Sequence, residues 1–178
     1  MTALSALMVL ASAAAGAGPR EQARRIHERL AGVPPTEAVL ADMQADVAAS
    51  NATDAAYTAM DNSSFYSVTL KNFAAPWTNR DQSIFVPLND YTATVIGMVR
   101  DDVPFNTLLS ANLVYVGTGG GIPAYSPTSN DHYQALEDQN ADLKARLTAS
   151  SQTAVSGLLR RRHEPGDVPL HPAESPVP

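Results

Sequence analysis

The sequence contains no cysteine. Disulfides, thiolate metal sites and thioether-bound haem are therefore excluded within this chain. Aromatic residues make up only 6% and there is a single Trp, so a core must rest on Leu, Val, Ala and Met. No charged residue precedes Arg20, and the apolar run before it is too short and too rich in Ala to predict a membrane span. An excess of positive charge is also lacking. The net charge of −6 supplies no electrostatic footprint for nucleic acid. What remains, 178 residues with 44% hydrophobic and 17% charged, is the composition of a globular chain long enough to bury a core.

The ends differ from the middle. The stretch "ALSALMVLASAAAGAG" resembles the apolar core and small-residue cleavage region of an export signal, with Ala15-Gly16-Ala17 in the small-x-small position. Export to the periplasm or beyond is the expectation. Because a basic leading segment is missing, an Ala-rich helix or a misassigned start is the alternative. The organisation expected is a signal-like segment at 1–18, a helical domain at 20–150 and a disordered Pro-rich tail at 158–178.

Apolar spacing places Ala23, Ile26, His27 and Leu30 on one helical face, stopped by Gly32 and the Pro34-Pro35 pair. Thr36 then caps a second helix with Val39, Leu40, Met43 and Val47 on its stripe and Glu37 in its first turn. Two further helical segments follow, with Asp54 and Ser63 as caps and with Phe65, Val68, Thr69 and Phe73 on one face of the second. Residues 74–90 lack periodicity and contain Pro76 and Pro87, which predicts an ordered loop packed down by Trp77, Ile84, Phe85 and Leu88. Asn89 or Asp90 caps the next helix, on which Tyr91, Val95, Met98 and Val99 share a face. A short helix is expected at "PFNTLLSAN" and a strand at "LVYVGTGGG". A continuous helix is expected over 130–147 with a seam of Tyr133, Leu136, Leu143 and Leu147. The fold class predicted is mainly α: an irregular multi-helix domain with long ordered loops and one or two short strands at most.

Few residues carry chemistry. The glycines of "GTGGG" are followed by Ile122-Pro123 rather than a helix start, so the stretch is a loop and not a phosphate cradle. Asp101 and Asp102 diverge by about 100° on a helix, and the expectation is that they end it and meet solvent or Arg100. His27 and His132 have no second ligand at metal-site spacing, so surface or hydrogen-bonded histidines are expected. "NAT" at 51 and "NSS" at 62 match glycosylation sequons, which matter only in a eukaryotic secretory host.

The richest segment is "PWTNRDQSIFVPLNDY". Its Trp77, Asn79, Arg80, Asp81, Asn89, Asp90 and Tyr91 are the candidate binding residues. The simpler reading is a loop whose polar side chains bond its own backbone and stitch it to the following helix. The functional alternative is a ligand pocket around Trp77, Arg80, Asp90 and Tyr91. A hydrolase using the same polar groups is a third reading, and no catalytic or metal residues are assigned.

Three phrases carry a resemblance: "RIHERLAGVPPT", "FYSVTLKNFAAPWTNRDQSIFVPLNDYTATVIGMVRDDVPFNTLLSANLVYVG" and "YSPTSNDHYQALE". Over about residues 24 to 157 the chain resembles a family of uncharacterised exported bacterial proteins whose longer members carry a downstream c-type haem motif, CxxCH. "RLAGVPPT" and "DDVPFNTLLSANLVYV" are similar to segments of larger cytochrome-like proteins. The resemblance implies a helical packing or docking module beside a redox domain, with haem c in the full-length parent and no cofactor in this chain. It lends no catalytic residues.

From Gly157 the chain departs from that family, with three consecutive arginines and five prolines in its last fourteen residues. One choice of codons for this stretch, read one base later, encodes "AFFVAGTNRAMFRFTLLNHLC", which resembles the family's segment leading towards its haem-bearing half. A shifted reading frame near Ser156–Leu158 is therefore expected, with a Pro-rich disordered tail as the alternative. The partner expected is the parent's redox domain, with no nucleic acid and no stable membrane span.

Overall fold

The computed structural model describes residues 17–155. The signal-like segment, except for Ala17 and Gly18, and the tail at 158–178 lie outside the described residues. The architecture is mainly α with one two-stranded antiparallel sheet. The chain divides into two compact units, one through Phe65 and one from Tyr66.

The first unit holds α1 (Pro19–Ala31), α2 (Glu37–Ala48) and α3 (Ala52–Met60), each packed on the other two. Pro19 opens α1, where its missing N–H costs nothing. Gly32 closes it in the left-handed region at φ 73°, with its N–H on the Glu28 carbonyl. Thr36 caps α2 by accepting from the Val39 N–H, as the sequence predicts. Ala23, Leu40, Met43, Ala55 and Ala59 are buried together, with Ile26, Leu30, Val39 and Val47 against them. Small Ala side chains at these contacts let the helix axes approach closely. His27 is buried, and its Nδ1 donates to the Val33 carbonyl at 2.8 Å, tying the helix to the turn beyond it. α3 begins one turn earlier than an Asp54 cap would place it, after Asn51, and Asp54 lies in its first turn.

The second unit starts within a π-helix, Phe65–Leu70, continued by α4 (Lys71–Ala74) and a 3-10 turn, Ala75–Thr78. The Asn62 side chain, not Ser63, caps the entry by accepting from the Ser64 N–H. The wider π turn rotates the residues after it relative to an α-helix. Tyr66, Leu70 and Ala74 are buried, whereas Val68 and Phe73 of the predicted face are 48% and 53% exposed. The loop prediction is corrected as well. Of its four apolar anchors only Leu88 is buried, while Trp77, Ile84 and Phe85 are exposed.

At the centre of this unit lies α5 (Asp90–Arg100), buried from Thr92 through Met98. Its predicted single stripe is too narrow, because α4, α7 (Leu143–Arg146), β1 (Val114–Gly117) and β2 (Leu147–Ser150) all pack on it. β1 pairs with β2 in the register Val114 with Ser150 and Gly117 with Leu147. The "PFNTLLSAN" segment forms only a 3-10 turn, Phe105–Thr107.

The predicted long helix over 130–147 is broken. α6 (Asp131–Asp138) ends where Asn140 takes φ 48° and the Ala141 N–H returns to the Leu136 carbonyl. Asp142 then caps α7 (Leu143–Arg146), and Leu147 opens β2. Tyr133, Leu136, Leu143 and Leu147 are all buried, but from three elements rather than one seam.

Side chains close the outer edge of β1, which would otherwise be an open strand edge. The Tyr115 N–H donates to Thr94 Oγ1 at 3.2 Å, and the Tyr115 carbonyl accepts from Tyr133 Oη at 2.8 Å. The Gly117 N–H donates to His132 Nε2 at 2.8 Å, while His132 Nδ1 donates to the Pro123 carbonyl at 2.7 Å. His132 is thus held in one tautomer between the strand and the Gly-rich loop.

Candidate functional site

The residues singled out in the central segment fall into three places in the second unit. Trp77 is 56% exposed on the 3-10 turn and stacks on Phe73 with ring centroids 5.1 Å apart and planes tilted by 56°. Asn79 is a loop clasp: its Nδ2 donates to the Ala75 and Ser83 carbonyls, and its Oδ1 accepts from the Ser83 N–H. That fits the stitching role read from sequence. Arg80 and Asp81 sit exposed at the tip that Asn79 closes, next to Gln82 at φ 50°.

Asn89 caps α5 by accepting from the Thr92 N–H at 3.0 Å. Asp90 occupies the first helical turn, where its carboxylate accepts from the Tyr91 N–H and complements the helix dipole. Burial pushes the Tyr91 phenol above its ordinary pKa.

Asp90 and Tyr91 line a cleft of about 310 Å³ together with Thr94, Leu108, Leu109, Leu113, Val114 and Gln152. Trp77 and Arg80 are not among the residues lining it. Thr94 could have been found from sequence, since it follows Asp90 by four residues and Tyr91 by three, on the same helix face. The Leu residues and Gln152 come from segments that only the tertiary fold brings to α5. Gln152 is placed by its Nε2 donating to the Leu113 carbonyl at 3.1 Å.

A second, broader groove of about 590 Å³ runs beside the exposed loop, lined by Lys71, Asn72, Ile84, Phe85, Val86, Pro87, Gln134, Glu137 and Asp138. The Glu137 carboxylate binds Lys71 Nζ and accepts from the Leu88 N–H at 2.8 Å, while Asn130 Nδ2 donates to the Leu88 carbonyl. Burial raises the Glu137 pKa, but the Lys71 ammonium and the Leu88 N–H together outweigh it and hold the carboxyl low. Leu88 is thereby pinned while Phe85 three residues earlier is 90% exposed.

The adjacent carboxylates do not form a catalytic pair. Asp101 ion-pairs with Arg100 and accepts from Tyr115 Oη at 2.8 Å. Arg100 Nη1 also donates to the Lys144 and Leu147 carbonyls, joining α5 to the α7–β2 junction. Asp102 closes the helix at φ 52°.

Among the described residues no group of three or more His, Asp or Glu is placed to hold a metal. The sequence has no thiol to attach a haem, and among the described residues both His132 ring nitrogens and His27 Nδ1 are engaged in hydrogen bonds. Among the described residues no helix is long and apolar enough to cross a membrane. No known family, no curated protein and no solved structure matches the chain.

Proposed function

We propose that this chain is a packing or docking module of an exported, c-type cytochrome-like protein, and that it acts beside a haem-bearing redox domain which it does not itself contain. The observation that carries this reading is the apolar surface of the second unit. Phe73, Trp77, Ile84 and Phe85 are 53%, 56%, 41% and 90% exposed, while α5 in the same unit is buried from Thr92 through Met98. Scattered exposed apolar residues are ordinary, but an exposed pair of large aromatics in contact, as Phe73 and Trp77 are, marks a surface that meets a partner. The positions belong to the longest phrase resembling the cytochrome-like family, and the chemistry of the chain offers contact surface rather than a reaction centre.

The chain's only Trp is the reporter. Titrating the haem-bearing half of a longer relative into the full chain should shift Trp77 emission to the blue and quench it. Trp77→Phe removes the signal, so Phe73→Ser and Phe85→Ser are read by calorimetry and should weaken binding without lowering the unfolding midpoint. Absence of saturable binding, or binding indifferent to both substitutions, overturns the reading. Export is tested separately, by fractionating a bacterial host that expresses a C-terminally tagged chain. Retention of the uncleaved chain in the cytoplasm overturns it.

A further inference from the structure

We propose that the cleft between the first turns of α5 and the 108–114 segment is a binding site for a small amphipathic organic ammonium ion. The inference does not rest on the docking reading, since none of the exposed aromatics of that surface lines the cleft.

Three features of the cleft select the ligand. Its walls are apolar where Leu108, Leu109, Leu113 and Val114 face it, so it favours a short alkyl or aryl body. Among the described residues Asp90 is the only charged side chain lining it. The Asp90 carboxylate accepts from the Tyr91 N–H at 2.7 Å, and among the described residues no cation pairs with it. Elsewhere in the same unit Asp101 and Glu137 have Arg100 and Lys71.

Tyr91 adds the third feature, an aromatic side chain in the same lining. A carboxylate attracts an ammonium by charge and an aromatic face by its quadrupole, and both repel an anion. The Gln152 amide and the Thr94 hydroxyl are the other polar groups. Both are already occupied in part, by the Leu113 carbonyl and the Tyr115 N–H, which leaves Asp90 as the main polar anchor. Complementing the helix dipole accounts for an acid at position 90 but not for the apolar walls facing it.

The test is calorimetric titration of the full chain with hexylammonium, 1-hexanol and hexanoate at low salt. The ammonium should bind saturably, the alcohol more weakly and the carboxylate not at all. Asp90→Asn should weaken the ammonium about fivefold and leave the alcohol unchanged, the size expected for a solvent-facing charge pair. Leu109→Ala, at a residue 88% exposed and so safe for folding, should weaken the ammonium and the alcohol alike. Asp138→Asn, outside this cleft, should weaken neither. The proposal is overturned if no ligand saturates, if the alcohol binds as well as the ammonium, or if Asp138→Asn has the same effect as Asp90→Asn. Unfolding midpoints of the three variants show whether each remains folded.

Discussion

Replacing Gly97 with Ala in the middle of α5 sets two effects against each other. In an isolated helix the change gains about 1 kcal/mol, because Ala restricts the unfolded backbone and Gly does not. In this fold a Cβ at position 97 would lie 2.1 Å from Tyr115 Cδ1 and 2.2 Å from Cγ. Carbon atoms rest at about 3.5–4.0 Å, so the ring must retreat by about 1.5 Å. It has nowhere to go. Tyr115 is 1% exposed, its hydroxyl is held by Asp101, and its backbone is bonded on both sides by Thr94 and Tyr133. Overpacking costs about 1–3 kcal/mol, and losing the hydroxyl bond to a carboxylate adds about 1.5–3 kcal/mol. The propensity gain is outweighed, leaving a net loss of about 1.5–5 kcal/mol. For a unit of this size that is a fall of roughly 6–40 °C in the unfolding midpoint. Thermal and urea unfolding followed by circular dichroism measure it. The double variant with Tyr115→Leu should cost less than the sum of the single changes by more than about 1 kcal/mol. A neutral or stabilised Gly97→Ala, or strict additivity with Tyr115→Leu, would refute the close approach of α5 and β1.

His132→Leu should destabilise the second unit by about 2–4 kcal/mol, since it orphans the Gly117 N–H and the Pro123 carbonyl together; urea unfolding checks this, and a loss below about 0.5 kcal/mol refutes the clamp. The hydrogen bond from Arg100, then that from Tyr115, holds the Asp101 carboxyl below its ordinary pKa. Its contribution is present above the unfolded value near 3.8 and fades as pH falls through the lower folded value, so Asp101→Asn should flatten the loss of stability below about pH 4. At the alkaline end burial, then the Asp101 bond, pushes Tyr115 up to about 12. That stability is complete below the unfolded value of 10.0 and vanishes as pH rises through about 12, so Tyr115→Phe should remove part of the decline seen between those limits. Phe85→Ser should change the unfolding midpoint by no more than a few degrees, because the side chain is 90% exposed.

Much of the helical plan was legible in local sequence because its causes are local. Gly32, the Pro34-Pro35 pair and Thr36 bound the first two helices through backbone conformation, a missing N–H and a side-chain oxygen, and each acts within a few residues. Asn89 as the cap of α5 and Asn79 as a loop clasp follow from the same short-range chemistry. The absence of cysteine likewise excluded disulfides and thioether attachment, whereas the scarcity of aromatics misled about the core, since Phe65, Tyr66, Tyr115 and Tyr133 are all buried in it.

Other features were decided at a distance. A π turn at Phe65–Leu70 has no distinctive periodicity, yet it turns Val68 and Phe73 outward and leaves Tyr66, Leu70 and Ala74 to the core. Trp77, Ile84 and Phe85 look like anchors because they are large and apolar, but the space behind them is already filled by α5 and its neighbours. β2 lies at the end of a stretch whose residues favour helix. It becomes a strand because Asn140 breaks that helix and β1 offers a ladder to pair with. The cleft has the same origin. Asp90, Tyr91 and Thr94 share a helix face that sequence spacing alone defines, but its far wall comes from Leu108, Leu113 and Gln152, which only the folded chain brings near. Local chemistry wrote the caps and stops; burial, which counts neighbours from anywhere in the chain, chose which faces close and which stay open.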